Sequence, residues 1–138
     1  MRIGKRKRVS LAAVTHRVKA VVASIDAELA YLDGILSSPM TDIVLSPERW
    51  AAAEGTRAEL EQSVRSLEDA AAETARQASD WRRRAALAEQ EQRADMAAVA
   101  RKRAATADAE HRAYVEEVTA ARQFLEEWNS RVKPAAAG

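Results

Sequence analysis

Two ladders of mostly apolar positions run through the second two-thirds of the chain, each stepping by three and four residues in alternation, the spacing of a coiled-coil seam. The first reads Trp50, Ala53, Arg57, Leu60, Val64, Leu67, Ala71, Thr74, Ala78, Trp81 and Ala85. The second reads Ala97, Ala100, Ala104, Ala107, His111, Tyr114, Val118, Ala121, Leu125 and Trp128. They mirror each other about a centre near Glu91. Folding the chain there opposes Trp81 with Ala100, Leu67 with Tyr114, Val64 with Val118, Leu60 with Ala121 and Ala53 with Trp128, each pair of numbers summing to 181 or 182. Large residues mostly meet small ones, which lets two helices approach closely without voids. The spacing predicts a long antiparallel helical hairpin over residues 47–130 with its turn near 89–93. A single uninterrupted helix in an intermolecular coiled coil is the competing arrangement.

Helix punctuation agrees with this division. Ser46 suits an N-cap, Pro47 suits the first helical turn, and Glu48 sets a carboxylate against the positive end of the helix dipole. Residues 37–46, with Ser37, Ser38, Pro39 and Asp42, read as a linker, and residues 131–138 as a disordered tail. Ahead of the linker, Leu11, Val14, Val18, Val21, Ile25, Leu29, Leu32 and Leu36 form one stripe at helical spacing, which predicts an amphipathic helix over residues 9–36.

Composition supports long helices. The chain of 138 residues is rich in Ala, Glu and Arg and has three Pro, four Gly and one Phe. An aromatic content of 4% leaves only a thin seam, so such a rod is expected to gain stability from copies of itself or from a partner surface. With no cysteine, disulfides, thiolate catalysis and Cys-ligated metals are excluded. That usage fits a reducing compartment, and the expected location is the cytoplasm, with the inner membrane face as the peripheral alternative.

The net charge of +1 hides a polarity. Within residues 1–36, Arg2, Lys5, Arg6, Lys7, Arg8, Arg17 and Lys19 against three acids leave +4, while the other 15 basic and 18 acidic residues leave −3. His16, Arg17 and Lys19 interrupt the apolar stretch and no cleavage site follows, which argues against a signal peptide; the apolar run is also too short to span a membrane. Three readings of this basic helix stay open. It lies on an anionic membrane with those seven cations on lipid phosphates, it docks on the hairpin as a third helix, or its tip meets nucleic-acid phosphates. Nucleic acid is the weakest of the three, because Trp50, Trp81, Tyr114 and Trp128 all map to the seam. Phe124 and Trp128, near the open end, are expected to offer an exposed anchor to a protein partner.

From Trp81 onward the chain resembles the phage-shock protein A and plastid vesicle-inducing protein family, bacterial and chloroplast relatives of the ESCRT-III membrane-remodelling proteins. The resemblance is carried by Trp81, Arg84, Ala85, Leu87, Ala88, Arg93, Asp95, Met96, Ala97 and Ala100, in register without a gap. It covers about a quarter of the chain. It implies that this stretch is the end of a long antiparallel hairpin, with Arg84, Ala85, Leu87, Arg93, Asp95 and Met96 at the tip, and that the protein self-assembles on membranes. Gln92 stands where family members often carry Gly, and with the helical pattern ending near residue 130 polymerisation through the family's usual contacts is not expected. The small secreted helical pairs of actinobacterial secretion systems are a poorer match, since the residues two after each Trp are Ala52, Arg83 and Ser130 rather than Gly.

No catalytic constellation is present in the sequence. His16 and His111 are the only histidines and lie in separate segments, so neither a triad nor a zinc site assembles without scattered carboxylates. His111 falls on the seam opposite Ala71, where a packed histidine is expected. The glycines are isolated, which leaves no phosphate-cradling loop. The fold expected is all-α, a long antiparallel coiled-coil hairpin preceded by a basic amphipathic helix. The function expected is that of a non-enzymatic, membrane-associated scaffold that assembles with itself, without metal or cofactor; a coiled-coil adaptor or subunit of a larger complex is the alternative. The expected seam residues are Trp50, Leu60, Val64, Leu67, Trp81, Ala100, Tyr114, Val118, Leu125 and Trp128.

Overall fold

The computed structural model describes residues 16–37 and 42–136. The order of elements is α1 (His16–Ile35), β1 (Ile43–Leu45), α2 (Pro47–Gln90), α3 (Ala94–Arg131) and β2 (Val132–Pro134). Helices make up most of the described chain, and α2 and α3 form a helical hairpin along their whole length.

The hairpin begins where the punctuation places it. The Ser46 hydroxyl accepts from the Arg49 N–H at 3.3 Å, and Pro47 and Glu48 stand in the first turn. At the other end α2 closes with two reversed bonds, Arg93 N–H to Ala88 O at 2.8 Å and Gln92 N–H to Glu89 O at 3.0 Å, which is a Schellman motif. That motif requires a left-handed residue at its centre, and Gln92 supplies it with φ of 59°. The reversal therefore occupies Glu91, Gln92 and Arg93.

The seam matches the ladders closely. Leu60, Val64, Leu67, Ala71, Thr74, Ala78 and Ala85 of α2 are buried, as are Ala97, Ala100, Ala104, Ala107, Tyr114, Ala121, Leu125 and Trp128 of α3. Trp50, Trp81 and Val118 are only half-buried. On one flank of the seam, three ion pairs tie the helices together: Glu68 with Arg122 at 3.0 Å, Arg82 with Asp108 at 2.9 Å, and Glu89 with Arg101. Glu68, Arg82 and Glu89 are separated by two heptads and then one. Their partners step back by the same intervals, the mark of a regular coiled coil. These exposed pairs set register more than stability.

Helix α1 packs on the opposite flank. Val22, Ile25, Leu29, Leu32 and Leu36 are buried in one cluster with Leu60, Val64, Leu67, Tyr114, Phe124 and Trp128. The buried stripe passes through Val22 rather than Val21, which is half-buried. Leu11, Val14 and the rest of residues 1–15 lie outside the described residues, as do the side chains of Arg17, Val18 and Lys19. Of the three readings for this helix, docking as a third helix is the arrangement seen over Val22–Leu36. The basic tip at Arg2, Lys5, Arg6, Lys7 and Arg8 is not among the described residues.

Two expectations about the connections need correction. Residues 43–45, inside the supposed linker, and residues 132–134, inside the supposed disordered tail, form a parallel strand pair with Ile43 beside Val132 and Leu45 beside Pro134. Ala135 N–H extends the pair by donating to Leu45 O at 2.9 Å. An antiparallel hairpin returns the chain to the end where it began, so the segments flanking it meet there. Leu45 and Val132 turn inward and close the base of the core. Phe124 and Trp128 are a third correction: they are 3% and 1% exposed, with their rings stacked at 6.5 Å, and form part of the core rather than an exposed anchor. The reason is α1, which covers the face that an isolated hairpin would leave open.

The core is uneven along the rod. Large side chains fill it from the base up to Ala71 and Ala113, the extent of the cluster that includes α1. Beyond that level the seam is built mainly of alanine, at Ala78, Ala85, Ala88, Ala97, Ala100, Ala104 and Ala107, with buried Thr74 and half-buried Trp81 among them. From Ala71 to Gln90 the two-helix arm extends about 28 Å beyond the three-helix base.

Candidate functional site

Ile43, the first residue of β1 at the base, follows Leu36 by seven residues, which span at most about 25 Å. Glu28 is level with Glu59 and Ser63, so Leu36, about 12 Å further along α1, stands level with about residue 53 or about residue 69. The second lies about 33 Å from Pro47, out of reach of that connection, so α1 ends at the base and its N-terminal end points up the arm. At about 100° per residue, the α2 positions facing α1, Glu59 and Ser63, lie on the same flank as Trp81, Arg84 and Ala88 nearer the tip. One continuous side of the hairpin is therefore covered by α1 at the base and, among the described residues, uncovered on the arm.

On that uncovered side the two helices form a groove of about 410 Å³, lined by Trp81, Arg84, Ala88, Asp95, Met96, Val99, Ala100 and Arg103. Its floor is alanine because the seam there is alanine, which lets the backbones come close and leaves a shallow trough between them. Met96 and Val99 are 48% and 53% exposed, and Leu87 beside them is 53% exposed. Other exposed large apolar residues, Tyr31, Val44 and Val115, are scattered over the molecule.

Trp81 organises the rim. The Arg84 guanidinium lies 4.7 Å from its ring centroid and the Arg103 guanidinium 4.9 Å, one from each helix. Such stacking holds long cationic side chains in place while their N–H groups remain available. Arg84 also reaches Asp80 at 3.2 Å, and Asp80 takes a hydrogen bond from Arg83 at 2.6 Å. The hydrogen bond from Arg83, and the charge of Arg84 with it, holds the Asp80 carboxyl below the usual carboxylate range. Arg103 has no carboxylate partner among the described residues.

The expected tip residues are thus distributed over three roles. Arg84 and Met96 line the groove with Asp95, Ala85 is buried in the seam, and Leu87 projects beside the groove. Arg93 stands at the helix start after the turn, where it makes no side-chain cap. Trp81 is the one seam residue whose role changes: opposite Ala100 as expected, it lies at the edge of the seam and carries the two arginines. The groove itself was missed by sequence reading, although Met96 and Val99 stand off the ladder and could have signalled it.

One further polar feature lies between α1 and α2. Glu28 is buried, with one carboxylate oxygen taking a bond from the Ser24 hydroxyl at 2.8 Å and the other, Oε2, without a partner among the described residues. Burial raises its pKa above the ordinary glutamate range, with Ser24 opposing the shift, Glu59 adding to it and Ser63 opposing it. Among the described residues, no group of three or more His, Asp or Glu side chains could hold a metal ion, and no helix is long and apolar enough to cross a membrane.

No family model, no curated protein and no solved structure matches the chain. The likeness to the phage-shock family therefore rests on the tip residues alone.

Proposed function

We propose that the chain is a non-enzymatic helical adaptor: a three-helix base from which a two-helix arm presents its tip to another macromolecule. The observation that carries this reading is the burial of Val22, Ile25, Leu29, Leu32 and Leu36 against the hairpin. With that stripe engaged inside the molecule, the exposed apolar surface concentrates at the tip groove. An arm whose seam is mostly alanine contributes little to stability for its length, which suggests that its reach serves something other than folding.

A membrane-associated scaffold that assembles with itself is the second reading. It is favoured by the five basic and no acidic residues in positions 1–15 and by the resemblance at the tip. It asks α1 to exchange the hairpin for lipid, and each large aliphatic residue withdrawn from the core costs about 1.5–3 kcal/mol before lipid contact offsets it.

Flotation with phosphatidylglycerol vesicles, combined with light scattering, separates the two. The adaptor reading expects the chain to stay with the lipid-free fraction as a monomer or small oligomer. Flotation that is lost when Lys5, Arg6, Lys7 and Arg8 are changed to serine, or growth into large polymers on vesicles, would replace it with the scaffold.

A further inference from the structure

We infer that the tip groove is a docking site for a partner's amphipathic helix whose apolar stripe is flanked by carboxylates. This deepens the adaptor reading and rests on it. The shape comes first. The trough runs along the hairpin between α2 and α3, and at the base the same side of the same two helices is filled by α1, a helix with an apolar stripe. A second helix laid end to end with α1 meets the same geometry, with Trp81, Met96 and Val99 in place of the base's leucines and valines.

The charge identifies the partner's flanks. Residues 81–103 carry seven basic and three acidic residues, a net +4, whereas residues 42–80 and 104–136 together carry eight basic and fifteen acidic residues, a net −7. Within the hairpin and its flanking strands, net positive charge is thus confined to the end of the arm that holds the groove. Arg84 and Arg103 are rooted on opposite walls of the trough, one on each helix, and their guanidinium groups meet at the Trp81 ring. Carboxylates three or four residues from the partner's apolar anchors would meet both. Asp95 at one end of the lining opposes a carboxylate there, which sets the direction in which such a helix lies.

Other occupants fit less well. Residues 1–15 of this chain have the wrong sign for the rim. A flat bilayer approaching that side meets α1 first, since a packed helix stands about 8–10 Å above the pair it rests on. Nucleic acid has no use for Met96 and Val99, and the Trp81 ring already carries two guanidinium groups.

The test uses the full chain and a fluorescein-labelled helical peptide of about five turns, with leucines at one-face spacing and glutamates on both flanks, against the same peptide with lysines for glutamates. Fluorescence anisotropy is expected to show saturable micromolar binding of the acidic peptide, at least about tenfold weaker binding of the basic one, and weakening with added salt. Val99→Asp and Arg103→Glu, both at exposed positions, are each expected to weaken binding about tenfold with helix content and melting unchanged. Equal affinity for both peptides, no saturation with the acidic one, or indifference to Val99→Asp overturns the inference. So does a doubling of mass in the unliganded chain that Val99→Asp abolishes, which would assign the groove to a second copy, or vesicle flotation abolished by the same change, which would assign it to lipid. If the peptide fails while the chain stays free of vesicles and small, the adaptor reading stands and only the partner's chemistry falls.

Discussion

The His111 Nδ1 lies 2.8 Å from the Ala71 carbonyl oxygen, a bond from the middle of α3 to the backbone of α2. The carbonyl can only accept, so Nδ1 carries the proton. The two residues are opposed in the ladder, and the imidazole fills the seam at the level where α1 stops covering the hairpin. His111→Ala is expected to cost about 1 kcal/mol, the net worth of a typical hydrogen bond. In a domain of this size that lowers Tm by roughly 3 °C, readable by circular dichroism melting. An unchanged melt would mean that the bond contributes nothing across the hairpin.

Gln92 occupies a left-handed conformation that costs a side-chain-bearing residue about 1–2 kcal/mol. Gly pays no such penalty, so Gln92→Gly is expected to stabilise the chain by up to about 1 kcal/mol after its greater freedom in the unfolded state is subtracted. Gln92→Val, branched at Cβ, should destabilise it. Urea denaturation of the three proteins gives the order directly, and Gly falling below Gln would contradict the Schellman geometry.

Gly55 sits inside α2 with nothing within 4 Å of where a Cβ would stand. Alanine there gains helix propensity without a clash, so Gly55→Ala should raise stability by about 1 kcal/mol. The check is the urea midpoint at unchanged slope.

Glu28 links stability to pH. Its folded pKa is raised, chiefly by burial, so the folded state holds the proton more tightly than the unfolded one. Stability from this group is full below the ordinary glutamate range and falls as pH rises through the window up to the raised value. Glu110, raised by burial as well, acts in the same direction. Glu28→Gln should therefore melt higher than the parent near pH 7, with the advantage shrinking towards about pH 4. An advantage that is the same at both ends would place the effect in something other than this carboxylate's ionisation.

Alanine in the distal seam marks how closely the helices approach. Ala104 is buried there, and Ala104→Leu should cost about 1–3 kcal/mol by forcing the arm open. Leu67→Ala in the base should cost about 2–5 kcal/mol by leaving a cavity. Loss of the helical signal in steps for the first and at once for the second would show that the arm opens separately from the base.

The hairpin was legible because its information is local and periodic. Leu60 against Ala121 and Ala71 against His111 follow from counting along a helix, and Ser46 and Pro47 mark its start by backbone chemistry that needs no neighbour. Each expectation that failed concerned a surface made by more than one segment. Phe124 stands off the ladder and looks exposed on a two-helix rod, and it is buried in the cluster that α1 completes beside the seam residue Trp128. Val132 looks like the beginning of a tail and becomes a strand because Ile43 is brought beside it. The tip groove is invisible in either helix alone, since its walls are Trp81 on one and Met96 and Val99 on the other.

By itself the order of residues determined where the helices lie, which face of each is apolar, where the chain reverses and that positive charge collects away from the acidic middle. Tertiary structure alone decided that α1 rests on the hairpin, that the base is closed by paired strands, and that two arginines from different helices share one tryptophan ring. The division follows from range. Helical periodicity and capping act over a few residues and are written directly in the sequence, whereas burial of a given face depends on which distant segment covers it, a choice made only by the free energy of the whole folded chain.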